Sequence, residues 1–193
     1  LREWYLLYHP ELIKQIDKPE TFVKIVEKGA ADKKDSIGAN FDSKDLSSVR
    51  AFAKNISDSF RITETLENYL EFLVQTHFPN LKTVAGPQIA AHLLAQAGDS
   101  GRLARMPSSK IQLLGAEKAL FRHLKTGAKP PKYGFILKHP MLASAPKNFR
   151  GKIARMLASK ISTAAKADVF SKEFIGDKLK KELEEKIRKL KQK

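Results

Sequence analysis

The chain has 193 residues, with 36 Lys and Arg against 21 Asp and Glu, a formal charge of +15 and no cysteine. That length accommodates one ordinary domain or two small ones with a substantial core. The missing thiols exclude a disulfide framework, cysteine-ligated zinc, iron–sulfur clusters and thiol catalysis.

The charge is unevenly placed. Residues 1–100 carry 12 basic and 14 acidic side chains, and residues 101–193 carry 24 and 7. Between Arg102 and Lys166 there are 15 Lys and Arg and one acid, Glu117. Self-repulsion of that size points to a polyanionic partner, either nucleic acid or an anionic membrane surface. No apolar stretch approaches the roughly 18–20 residues of a membrane span, and Leu1-Arg2-Glu3-Trp4-Tyr5 is not the start of a signal peptide. The expectation is an intracellular chain whose first residues read as mid-helix, with a segment cut away upstream.

In chain order, residues 1–40 read as short helices loosely arranged, with Phe22, Val23, Ile25 and Val26 as one apolar stripe stopped by Gly29. Asp42-Ser43 offers a cap for a long helix running to about His77, where Pro79 forbids continuation. Leu46, Val49, Ala53, Ile56, Phe60, Thr63, Leu66, Leu70 and Leu73 recur along it at three- and four-residue steps. This is a heptad seam with one extra three-step near Thr63. It suits a coiled coil, with residues 1–8 starting an antiparallel neighbour, or a core helix of a bundle.

Pro87 opens a helix ending near Gly98, followed by a loop at 98–109. Leu113, Ala116, Leu120 and Leu124 mark the buried side of the next helix, and Lys118, Arg122 and Lys125 the opposite side. Gly127 ends it, Lys129-Pro130-Pro131-Lys132 makes a stiff basic loop, and Gly134–Leu137 reads as a short extended piece. The helix from about Asn148 to Lys166 puts Ile153, Leu157, Ile161 and Ala164 on one arc, and Lys152, Arg155 and Lys166 on the other. Leu179, Leu183, Ile187 and Leu190 then make the stripe of a charged terminal helix. The whole reads as all-α.

Catalytic patterns are missing. There is no glycine-rich phosphate loop, His9, His77, His92, His123 and His139 lie scattered without metal-ligand spacing, and neither Ser108-Ser109 nor Asp168 belongs to a triad pattern. We therefore expect neither an active site nor a cofactor. What remains is four basic clusters: Lys118/Arg122/Lys125, Lys129 and Lys132, Lys138-His139, and Arg150/Lys152/Arg155. Phe121, Tyr133 and Phe149 are interleaved with them, as suits phosphate neutralisation with stacking on unpaired bases. The rivals are an enzyme with its own methyl-transfer or nuclease activity, and an adaptor whose basic face meets acidic protein or lipid.

Met106-Pro107-Ser108-Ser109, Gly115-Ala116-Glu117-Lys118-Ala119-Leu120-Phe121-Arg122 and Lys129-Pro130-Pro131-Lys132-Tyr133-Gly134 closely resemble the Nop domain of box C/D ribonucleoprotein core proteins. Arg150–Arg155 and Ala164–Phe170 continue the match, and Leu1–Tyr5 with Phe78–Leu81 resemble the same family's coiled-coil region. The resemblance implies a scaffold for guide-directed ribose 2'-O-methylation, with a coiled-coil module at 1–80, its first helix truncated, and a Nop RNA-binding module at 85–193. It implies four partners: a box C/D guide RNA, a small kink-turn-binding protein of ribosomal type, a second copy of the chain, and fibrillarin held through a separate N-terminal domain missing here. The fragment would then bind RNA and dimerise without recruiting the methyltransferase.

Carried over by position, the resemblance assigns RNA contacts to Gln112 and Lys118 and duplex-end capping to Phe121 or Arg122. It adds His139, Arg150, Lys152 and Arg155, and the charge pattern contributes Lys125, Lys129, Lys132 and Lys138. Dimerisation is expected through Leu46, Val49, Ile56, Phe60, Leu66, Leu70 and Leu73. The uninterrupted basic ending resembles the archaeal form, which implies a cytoplasmic protein, or a nucleolar one if eukaryotic. A related splicing factor that clasps a spliceosomal RNA stem is the alternative within the family.

Overall fold

The segment with the long apolar seam is one uninterrupted helix, α4, Ser43–His77. The Asp45 N–H donates to Asp42 Oδ1 at 2.7 Å, and Asp42's own N–H donates to Asp45 Oδ2 at 3.4 Å, a reciprocal cap at the helix start. Pro79, which has no N–H to offer, becomes the first residue of α5, Pro79–Ala85. The computed structural model describes residues 1–29 and 36–191. Three short helices precede α4: α1 (Arg2–Tyr8), α2 (Pro10–Gln15) and α3 (Pro19–Lys28). After α5 come α6 (Pro87–Ala97), α7 (Ser100–Arg105), α8 (Ser108–Leu113), α9 (Glu117–Thr126), α10 (Pro140–Ala143), α11 (Lys147–Lys166) and α12 (Gly176–Lys191). The fold is all-α. Among the described residues there is no strand, and no helix is long and apolar enough to cross a membrane.

The chain divides into two compact units, Leu1–Glu67 and Asn68–Lys193, whose boundary falls inside α4. In the first unit Tyr5, Leu12, Phe22, Val23 and Val26 pack with Val49 and Ala53 of α4. These helices are not loosely arranged, because each contributes a buried side chain to that one cluster. Ile56 and Phe60 pack against the same cluster.

The second unit is built around α11. Ile153, Ala154, Leu157, Ala158, Ile161 and Ala164 are fully buried along one face. The alternating large and small side chains let α5, α7, α8 and α12 approach it closely. Each buried Leu or Ile contributes about 1.5–3 kcal/mol over an exposed one. Leu179, Leu183 and Ile187 hold α12 to this core, and Lys160 of α11 pairs with Glu182 of α12.

Three sequence expectations fail here for local reasons. The loop expected at 98–109 contains α7 and the start of α8, because Asp99 Oδ1 accepts the Arg102 N–H at 2.7 Å and initiates a turn. Gly134–Leu137 is not extended. Phe135–Lys138 forms a 3-10 turn, pinned where the Gly134 and Phe135 N–H groups donate to the Gln112 and Leu114 carbonyls at 2.9 and 2.8 Å. Finally, Leu113, Ala116, Leu120 and Leu124 are not a buried side: α9 has no buried residue, and Leu124 is 69% exposed.

The end of α11 widens into a π turn, Ala167–Ser171, that presents Asp168 to the start of α5. There its carboxylate accepts the Asn80 and Leu81 N–H groups at 3.0 and 2.8 Å and the Asn80 side-chain amide at 2.8 Å. Asn80 Oδ1 in turn accepts the Ile175 N–H at 2.7 Å. This buried acid satisfies helix-terminal donors that water does not reach.

Candidate nucleic-acid interface

Two features of the second unit collect the expected contact residues. The first is a groove of about 580 Å³ between α8, the 131–132 loop and the first three turns of α11. Gln112 Nε2 donates to the Lys132 carbonyl at 2.7 Å, which ties the loop to α8 and sets one wall. Lys147, Asn148, Gly151, Lys152 and Arg155 form the other wall, at spacings that keep them on one face of α11. The groove thus brings together Gln112, Lys132, Lys152 and Arg155 and adds Ser109, Lys147, Asn148 and Gly151, which sequence reading missed. Its lining has four cations and no acid. The N-terminal end of α11 adds its dipole to that positive field. A Cβ at Gly151 would meet nothing within 4 Å, so the bare backbone leaves room for a ligand against the helix.

The second feature is α9 itself. Its entry is fixed by two glycines. Gly115 has φ +87°, and a Cβ there would lie 2.6 Å from the Phe135 ring, which stacks on His92 with centroids 5.0 Å apart. At Gly134 a Cβ would lie 1.8 Å from the Leu114 carbonyl oxygen. The lone acid of the basic region, Glu117, accepts the Gly115 N–H at 2.8 Å, so its role is to start the helix. At the far end Gly127 takes a left-handed conformation and His123 Nδ1 meets the Ala128 carbonyl. Between these anchors Lys118, Phe121, Arg122 and Lys125 all face solvent, and Phe121 is 60% exposed. Such a helix offers two kinds of contact at once: cations for phosphates and an uncovered ring for a base.

Lys129 and Lys138 are also exposed. Two other expected contact residues are occupied within the protein. His139 is buried, its Nδ1 accepting the Met141 N–H at 3.3 Å as the cap of α10. Burial pushes its pKa below the ordinary 6.5, a hydrogen bond to the Val84 carbonyl opposes that shift, and Lys180 reinforces it. Arg150 donates from Nε to the Ala145 carbonyl at 2.8 Å and from Nη2 to the Ala143 carbonyl at 3.0 Å, clamping the α10–α11 connection. Both residues hold up the α11 wall.

The seam on α4 is used unevenly. Val49 is buried, and Ile56 and Phe60 pack into the first unit's core, with Leu46 half-buried. Leu70 packs on the core of the second unit. Leu66 is 60% exposed and Leu73 is 36% exposed. Ile62, Tyr69 and Phe72 are exposed along the same stretch.

Comparison with known proteins matches residues 1–189 to the family described as Nop, snoRNA binding domain, fibrillarin. An uncharacterized NOP5 family protein of Methanocaldococcus jannaschii is 39% identical over 98% of this chain and 50% of its own length. Nucleolar protein 56 of Homo sapiens is 32% identical over 97% of this chain and 36% of its own length. The chain thus spans half or less of these relatives. A crystal structure of a fibrillarin/Nop5p complex superposes with a TM-score of 0.59 at 28% identity, covering 98% of this chain and 70% of that one.

Proposed function

Since the chain belongs to the Nop snoRNA-binding family, we propose that it is the RNA-gripping part of a box C/D guide ribonucleoprotein and acts as a scaffold for ribose 2'-O-methylation. The observation that carries this reading is the acid-free groove walled by Lys132, Lys147, Lys152 and Arg155. Flexible lysines neutralise successive phosphates, and the planar Arg155 guanidinium can hold one by two parallel hydrogen bonds. Gln112 and Ser109 supply neutral polar contacts on the opposite wall. Phe121 and Arg122, on a helix that buries nothing, then cap an exposed base pair or splayed base. Because the groove and the entry to α9 share the end of α8, where Gly134 and Phe135 bond to Gln112 and Leu114, the surface is read as selecting a bent RNA over a straight duplex. The bent element is a kink-turn already carrying its small binding protein.

Dimerisation uses the seam residues of α4 that stay exposed, Leu66 in the first unit and, separately, Leu73 in the second, against a second copy. Fibrillarin is engaged through regions of the longer relatives that this chain does not span. The site of action is the archaeal cytoplasm, or the nucleolus in a eukaryote. The chain has no catalytic role in this scheme.

The test is a salt titration of guide-RNA affinity with the double variant Lys152→Ala, Arg155→Ala. Loss of two phosphate contacts should weaken binding and lower the log–log salt slope by roughly 1.5. An unchanged affinity and slope would remove the groove from the interface.

A further inference from the structure

The π turn after α11 leaves two aromatic rings outside the core: Phe170 is 57% exposed and Phe174 is 55% exposed. Rings of that size normally contribute to a core or an interface. The Arg105 guanidinium of α7 lies 6.0 Å from the centroid of the Phe170 ring, a cation–π pairing that orients both groups. Lys172, at φ +60°, is the one non-glycine residue with positive φ among the described residues, and it turns the chain between the two rings. Phe174 is seated against Gly176, where a Cβ would approach its ring at 3.1 Å. The surroundings are cationic, since Arg102, Lys166 and Lys172 are exposed. Among the acids of this end, Asp168 is buried in its bonds to Asn80 and Leu81, while Asp99, Glu173 and Asp177 are exposed.

We propose that Phe170, held beneath Arg105, is a second stacking platform for unpaired nucleotides, which extends the grip of the groove to the other end of α11. The proposal rests on the RNA-binding reading above. An exposed ring paired with a guanidinium and flanked by lysines accepts any base, because every base has a π-face, while the cations hold the sugar–phosphate backbone. Fifteen residues separate Arg155 from Phe170, about 22 Å at the helical rise. At ~3.4 Å per stacked nucleotide, a strand leaving the groove covers that distance in about seven nucleotides.

The experiment is fluorescence anisotropy with the 193-residue chain and two labelled strands: a 12-nucleotide oligouridine and an abasic strand of equal length. Phe170→Leu keeps an apolar side chain and should weaken oligouridine binding about ten-fold while leaving the abasic strand unaffected. Arg105→Gln, which leaves the ring in place but removes the cation over it, should give the same selective loss at about three-fold. The groove variant Lys152→Ala, Arg155→Ala should weaken both strands. If Phe170→Leu and Arg105→Gln bind oligouridine like the wild type while the groove variant does not, the platform is refuted and the RNA reading stands; such a surface would serve a protein instead. Equal losses on both strands would also overturn the stacking role. No effect from any variant would overturn both readings.

Discussion

His139 sits between Lys138 and Pro140 in a basic stretch, yet its imidazole is withdrawn from solvent and spent on the start of α10. With Nδ1 accepting a backbone N–H, the neutral ring carries its proton on Nε2. The folded state therefore favours the uncharged form, with a pKa below the ordinary 6.5. An unfolded chain takes up the proton at about 6.5, so this contribution to stability is complete above that pH. It declines as pH falls through 6.5 toward the folded value, by at most about 1.4 kcal/mol per pH unit. We expect the urea midpoint of the wild type to fall more between pH 7.5 and 5.5 than that of His139→Asn, which keeps a capping acceptor without the titration. Equal falls would show that His139 is not the sensitive group. Asp168 belongs to the same class of inward-facing polar residue. Nothing in its sequence context marked it, because its partners Asn80 and Leu81 are 88 and 87 positions away.

The helices differ in how far their sequences announce them. The bounds of α4 are written in its own residues, through the Asp42 cap and the Pro79 stop. The six-residue helices α7 and α8 are too short to display a period, so only their caps could have betrayed them. Lys147 escaped notice because the helix expected from about Asn148 starts one residue earlier, and that first turn puts Lys147 and Asn148 on the groove wall with Arg155. In α9 the apolar period is real but only partly covered, with Leu120 half-buried and Leu124 exposed, and periodicity alone does not distinguish a core stripe from one kept for a ligand. Because α9 buries nothing, Arg122→Ala should leave the helical circular dichroism and thermal midpoint unchanged while reducing assembly on guide RNA and methylation yield in the reconstituted particle. Full assembly and yield would count against it. On α4, Ile62 and Leu66 are 58% and 60% exposed, so Ile62→Glu with Leu66→Glu should leave the fold intact and convert a dimer to a monomer by light scattering. An unchanged mass would place the self-contact elsewhere.

For the molecule as a whole, the asymmetry of charge is the feature that sequence displayed most directly. The first hundred residues nearly balance, and the remainder carries 24 cations against 7 acids. Folding sorts that excess. Lys160 pairs with Glu182 and Arg150 clamps backbone carbonyls, whereas Lys132, Lys147, Lys152 and Arg155 converge on one groove. Sequence could count the charges but could not separate those spent on the fold from those left for a partner, since the separation depends on which carbonyls and carboxylates tertiary packing brings near. A merely basic protein would bind any polyanion. A scaffold with two anchored surfaces should prefer a bent RNA that presents phosphates to the groove and a duplex end to α9. The decisive measurement is the affinity of the chain for a kink-turn guide RNA loaded with its small binding protein, against a straight duplex of equal length at graded salt. We predict at least ten-fold tighter binding to the loaded kink-turn at 150 mM salt, with the difference persisting as salt rises. Equal affinities across that series would contradict shape-selective recognition and leave only a general attraction for polyanions.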